Sequence, residues 1–137
     1  MAPVQQFDTS MILLQKVLDL RAKNQQVIGS NIANAETPGY SAKSFTFEEQ
    51  LHSAVNHQPF SPAVTHPNHI PLGTSSIEQV QGVVQTTKDN TGIGDENSVS
   101  VDQEMVKLSE NQIMYEAATT MLKKKMALLK YTINGGS

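Results

Sequence analysis

At 137 residues the chain is long enough for one ordinary domain. Apolar residues fill 38% of positions and aromatics 5%, against about 45–50% apolar in an average globular domain, so a large compact core is excluded. Ten basic and thirteen acidic residues leave a net charge of −3, and there is no cysteine. No basic excess points to nucleic acid, and disulfide and thiolate chemistry are ruled out.

The first twenty residues carry no basic lead-in, and their longest apolar run is Met11–Leu14. A cleaved signal peptide is not expected. No stretch approaches the ~20 apolar residues that cross a bilayer.

From about residue 7 to residue 36, apolar residues recur as Phe7, Met11, Leu14, Leu18, Ile28, Ile32 and Ala35. Steps of three and four put them on one helical face. Leu13, Val17, Leu20 and Val27 widen that stripe. Asp8, Thr9 or Ser10 is the expected cap, accepting from a free N–H of the first turn. The pattern stops in "SNIANAETPGY", residues 30–40. Thr37 precedes a proline and is pushed out of the helical region. Pro38 and Gly39 suit the two central positions of a type II turn ending at Tyr40, where glycine takes positive φ freely. Asn31 and Asn34 sit in the last helical turns, with amides free for local backbone or for another chain.

The stretch from about 37 to 98 changes character. Apolar residues fall to about a quarter of positions, and four of the six prolines stand at 59, 62, 67 and 71. Such spacing forbids helix and favours extended geometry. Ile77–Thr87 reads as a strand or hairpin arm, and Lys88–Ser98 is rich in turn formers. Loops with a few short strands are expected here.

From about 99 to 134 the helical spacing returns through Met105, Leu108, Gln112, Tyr115, Thr119, Leu122, Met126, Leu129 and Ile133. Ser100 and Gln103 fit a capping box. Lys123, Lys124, Lys125 and Lys130 complement the dipole at the far end.

The expected fold is mainly α: an antiparallel coiled-coil pair of N- and C-terminal helices, forming one discontinuous unit, around an irregular and partly extended middle. A pair of helices does not cover stripes this wide, and Leu13, Val17, Leu20, Met121 and Leu128 are expected to stay partly wet. Each buried Leu or Met is worth ~1.5–3 kcal/mol, so copies or relatives should pack around the pair. Polar Gln25, Gln112 and Thr119 would fix register.

No residue is expected to be catalytic. No Ser/His/Asp constellation is recognisable, and Gly92–Gly94 lacks the rest of a phosphate loop. His66 and His69, with His52 and His57, read as surface or loop-packing histidines and not as metal ligands, because zinc needs three or four in fixed geometry. No cofactor, metal or small-molecule substrate is expected. The three successive lysines read first as a solvated helix end.

"SNIANAETPGY" resembles the signature of the flagellar axial family of rod, hook and hook-associated proteins, matched at Asn31, Asn34, Thr37, Pro38, Gly39 and Tyr40. "THPNHI" and "DENSVSVDQEM…ENQIMYEAATTMLKKKMALLKYTI" resemble its short rod members. "DNTGIGDENSV" is longer than the usual family turn before the last helix. The resemblance implies a structural rod subunit that transmits torque. It implies export through the flagellar type III apparatus without signal cleavage, and a helical assembly of copies in the periplasmic basal body. Contacts with other rod proteins and with the membrane-ring adaptor follow from the same likeness. The seam residues Met11, Leu14, Leu18, Ile28, Ile32, Met105, Leu108, Tyr115, Leu122, Met126 and Leu129 would then pack subunits. A second reading is a soluble helical adaptor or export chaperone for another flagellar subunit, gripping an amphipathic client segment.

Overall fold

The computed structural model describes residues 2–56 and 77–135, with side chains from residue 9 onward. Two long helices, α1 (Ala2–Ala33) and α3 (Val101–Ile133), run antiparallel. Between them lie strand β1 (Ala42–Thr46), helix α2 (Glu48–Val55), a single 3₁₀ turn (Ile77–Gln79) and strand β2 (Val83–Thr87). The fold is mainly α, with one small antiparallel sheet in the middle.

α1 begins five residues earlier than its apolar pattern suggests. Pro3 permits this, because the first N–H groups of a helix have no partner within it. Asp8, Thr9 and Ser10 therefore lie inside the helix instead of capping it. Ser100 does stand at the N-cap of α3 with extended backbone, but its side chain makes no capping bond. The capping box with Gln103 is not formed.

β1 and β2 pair with Ala42 opposite Thr87 and Thr46 opposite Val83. The middle is better organised than its composition implies, since α2 was not legible as a helix. Its sequence, EEQLHSAV, offers only Leu51, Ala54 and Val55 as apolar residues. Two acidic residues in its first turn favour a helix start. The four prolines, His57, His66 and His69 and the stretch "THPNHI" lie outside the described residues.

The core sits between one side of α1 and this middle. Leu20, Phe45, Phe47, Ala54 and Val80 form its buried cluster, with Val27, Leu51 and Ile77 packed against it. Leu20 is 1% exposed, which corrects the expectation that it stays wet: the α1 flank is covered by the chain's own middle segment. Phe45 and Phe47 rings lie 5.6 Å apart and tilted. The Arg21 guanidinium stands 4.8 Å above the Phe47 ring, an arrangement the ring's negative face favours. Lys16 Nζ donates to Glu78 O at 2.9 Å, and Gly82 N–H to Gln50 Oε1 at 2.9 Å. These bonds tie the 3₁₀ turn to α1 and the start of β2 to α2.

Gly82 has φ +72° and lies against the far end of the Phe45 ring, where a Cβ would collide with the ring carbons. Gly92 has φ +64° with open space around it. Gly82→Ala combines backbone strain with overpacking and should lower unfolding free energy by about 2–4 kcal/mol. Gly92→Ala incurs the backbone term alone, about 1 kcal/mol. Denaturant unfolding of the two variants side by side checks the difference.

Candidate functional site

The turn after α1 and the seam of the two long helices meet at one buried amide. Asn31 is wholly inaccessible to solvent. Its Nδ2 donates to Lys43 O (2.6 Å) and to Glu104 Oε2 (3.0 Å). Its Oδ1 accepts from Lys43 N–H (2.9 Å) and from Tyr40 Oη–H (3.2 Å). Two donors and two acceptor positions are all a side-chain amide has, so Asn31 is saturated. It joins α1 to β1, to the turn and to α3, and holds nothing in reserve for a second chain.

Glu104 is 3% exposed. Its other oxygen accepts from Lys107 Nζ at 2.7 Å. A buried carboxylate is costly unless paired and hydrogen-bonded, and here each oxygen has one donor. One heptad along, Asn24 Nδ2 donates to Asn111 Oδ1 (3.1 Å), and Asn111 Nδ2 to Arg21 O (2.9 Å). The polar layers therefore run 31 with 104 and 24 with 111, seven residues apart on each helix. They fix the register of the pair, as polar seam residues do in coiled coils.

These residues replace the ones the sequence pattern put in that role. Gln25 and Gln112 are exposed, and Gln112 reaches only Glu116 of its own helix. Thr119 bonds back to Tyr115 O. On α3 the face toward α1 includes Glu104, Leu108, Asn111, Ala118, Leu122 and Leu129, while Met105 and Met126 are 50% and 55% exposed. Tyr115 is 37% exposed. Ile28 is buried on α1, and Met11, Leu14, Leu18 and Ile32 are half-buried.

The turn has the geometry that Pro38-Gly39 dictates. Gly39 takes φ +72°, and Tyr40 N–H reaches Thr37 O at 3.2 Å. Thr37, Pro38 and Gly39 are exposed. Asn34 Nδ2 caps back onto Ser30 O (2.8 Å) and its Oδ1 accepts from Thr37 Oγ1 (3.2 Å).

A clamp from the loop before α3 closes over this turn. Asn97 Nδ2 spans Asn34 O (2.9 Å) and Thr37 O (2.8 Å). Gly39 N–H donates to Asp95 O at 2.6 Å, and Ser98 N–H to Tyr40 O at 3.1 Å. Ser98 Oγ donates to Thr87 O (2.7 Å) and accepts from Ala42 N–H (2.8 Å), fastening both strand ends. Glu96 sits between these residues at φ +57°, left-handed backbone that non-glycine residues seldom adopt. The loop before α3 is thus the piece that holds the motif. Further out, Thr91 N–H donates to Asp89 Oδ1 and holds that exposed carboxyl below its usual range. That local turn is complete at neutral pH and loosens as acid protonates Asp89.

Lys43, Asn97, Ser98, Glu104 and Asn111 were not singled out from sequence. The matching interval of seven between Asn24 and Asn31, and between Glu104 and Asn111, was the signal available. Among the described residues no group of His, Asp and Glu is placed to hold a metal, and no helix is long and apolar enough to cross a membrane.

This architecture has known relatives. The family described as "Flagella basal body rod protein" matches residues 18–40, the second half of α1 and the turn. The flagellar basal body rod protein FlgB of Aeromonas hydrophila is 30% identical over 131 residues, 94% of this chain and 96% of its own length. The chain belongs to the flagellar basal-body rod protein family. The FlgB of Salmonella typhimurium is 27% identical over 135 residues, covering 95% and 96% of the two chains. That of Bacillus subtilis is 29% identical over 133 residues, covering 90% and 92%. The likeness runs the length of this rod-family chain, through both helices and the middle.

Asn31→Ala leaves the Lys43 backbone and one Glu104 oxygen without partners in a dry site. It should lower unfolding free energy by about 2–4 kcal/mol, whereas Thr37→Ala at the exposed rim should change it by ~0.5 kcal/mol or less. Chemical unfolding followed by circular dichroism separates the two; equal effects would contradict the role given to Asn31.

Proposed function

We propose that this chain is a structural subunit of the flagellar basal-body rod, and not an enzyme. In this reading it polymerises with copies of itself and with other rod proteins through its paired terminal helices. The resulting tube carries torque from the membrane ring to the distal rod and hook. It lies in the periplasm, meets the ring adaptor at one end, and leaves the cytoplasm through the flagellar type III export apparatus.

One observation carries the reading. Apolar side chains stand uncovered along the whole of α3, among them Val106 (58%), Ile113 (66%), Leu128 (57%) and Tyr131 (61%). A single helix partner leaves this surface in water, and contiguous apolar surface of that kind marks protein interfaces. A second apolar surface adjoins it: a groove of about 440 Å³ between the long helices and α2, lined by Leu14, Val17, Leu51, Val55, Met114 and Met121. Burying each such side chain against a neighbour returns ~1.5–3 kcal/mol, and repetition along α3 gives an extended contact. The small core and the absence of cysteine suit a chain that must unfold to pass an export channel. Family membership does not favour the alternative of an adaptor or export chaperone.

Leu128→Asp and Met121→Asp test this, because both side chains are more than half exposed. Each should leave the unfolding free energy of the isolated chain within ~0.5 kcal/mol, yet abolish swimming and remove the chain from purified basal bodies. Leu18→Asp and Leu122→Asp, on half-buried positions, should lower both stability and assembly. Normal rods and normal swimming with Leu128→Asp and Met121→Asp combined would sink the proposal.

A further inference from the structure

The charges of α3 are sorted by half. Asp102, Glu110 and Glu116 lie toward its start, Lys123, Lys124 and Lys130 toward its end, and no acidic residue follows Glu116. All six side chains are exposed, and no ion pair among the described residues engages them. The buried Glu104 is matched by Lys107 and adds no net charge. On α1 the signs are mixed, running through Asp8, Lys16, Asp19, Arg21 and Lys23 without sorting into an acidic and a basic half, so the polarity belongs to α3. Exposed apolar residues accompany both groups: Met105, Val106 and Ile113 beside the acids, Leu128 and Tyr131 beside the lysines.

Two parallel copies set level would bring lysines against lysines and acids against acids. The acidic trio centres near position 109 and the basic trio near position 126. A slide of about sixteen residues, ~25 Å at ~1.5 Å per residue, places the basic half of one helix beside the acidic half of the next. An antiparallel pair at full overlap also matches signs, but it closes on itself and leaves no free end to extend.

We infer that copies of this chain pack parallel and staggered by about half the length of α3, the lysine half of one against the acidic half of its neighbour. This rests on the self-assembly proposed above. The apolar surface supplies adhesion, and the charges choose the offset. Exposed pairs are individually weak and screened by salt, so the choice is collective and sensitive to ionic strength.

The test uses the full chain and two triple variants: Lys123→Glu with Lys124→Glu and Lys130→Glu, and Asp102→Lys with Glu110→Lys and Glu116→Lys. Light scattering and sedimentation velocity are recorded in low salt and in about 0.5 M NaCl, where screening acts within a few ångströms. The unmodified chain should form open-ended oligomers that shrink in high salt. Each variant alone should associate at least ten-fold more weakly, and an equimolar mixture of the two should recover large oligomers. The neutral set Lys123→Gln, Lys124→Gln and Lys130→Gln, which keeps good helix formers, should weaken association and remove its salt dependence. Oligomers of ordinary size from every charge variant would overturn the stagger and leave self-assembly standing. An unmodified chain that stops at a dimer would overturn it in favour of the antiparallel pair. Undiminished oligomers from Leu128→Asp would instead remove the apolar basis of assembly, and an unmodified chain that stays monomeric at every salt would remove both.

Discussion

Four hydrogen bonds on the Asn31 amide tie three parts of this chain together. A side-chain amide buried without partners costs several kilocalories per mole, yet fully bonded it accepts one arrangement of neighbours and rejects the rest. Here the neighbours are the backbone of β1, the hydroxyl of Tyr40 and the carboxylate of Glu104. Slide α3 by one residue and Glu104 loses its Asn31 donor, keeping only Lys107 of its own helix. Straighten the turn and Tyr40 leaves. The exposed residues of the motif, Thr37, Pro38 and Gly39, have a different task. They reverse the chain so that β1 arrives within reach of that amide.

Both long helices, the turn and the antiparallel pairing were legible from sequence because each rests on local chemistry: apolar spacing, a proline that ends a helix, a glycine that accepts positive φ. The seam was legible by halves. Leu108, Leu122 and Leu129 were found because they are apolar and inward. The inward line through Glu104 and Asn111 was displaced by one residue toward Met105 and Gln112, because a rule that sorts apolar from polar assigns a buried carboxylate to water. The same rule overlooked Asn24. α2 escaped notice because its apolar face is short and its burial is decided by Leu20 and Val80, which are distant in sequence. The clamp of Asn97 and Ser98 escaped for the same reason. Its partners in the turn and β1 lie some sixty residues away, and nothing in the local string "DENS" reveals them.

The structure is also unequal along its length. The bonds of Asn24 with Asn111, Asn111 with Arg21, Asn31 with Glu104 and Asn97 with the turn gather between positions 21 and 37 of one arm and 97 and 111 of the other. Beyond them α1 and α3 meet through half-buried Leu14, Val17, Leu122 and Leu129 and buried Ala118. Hydrogen bonds specify distance and direction, whereas apolar contacts mainly reward area. The Asn31 end of the molecule is therefore fixed by geometry, while the exposed apolar face of α3 offers contacts that a neighbouring helix can take up. That division suits a rod subunit, whose free form needs a defined shape and whose far helices need surfaces to share.

The small core behind α1 has its own consequence. The chain departs from that core at Leu51 and Ala54 and returns to it at Ile77 and Val80, so the segments on both sides of the interval 57–76 are anchored on the same few side chains. Closing a loop between fixed ends grows harder only with the logarithm of its length, about 0.6 kcal/mol for each doubling. A change of chain length between those anchors is felt first by this small core, because the helix register and the clamp rest on other residues.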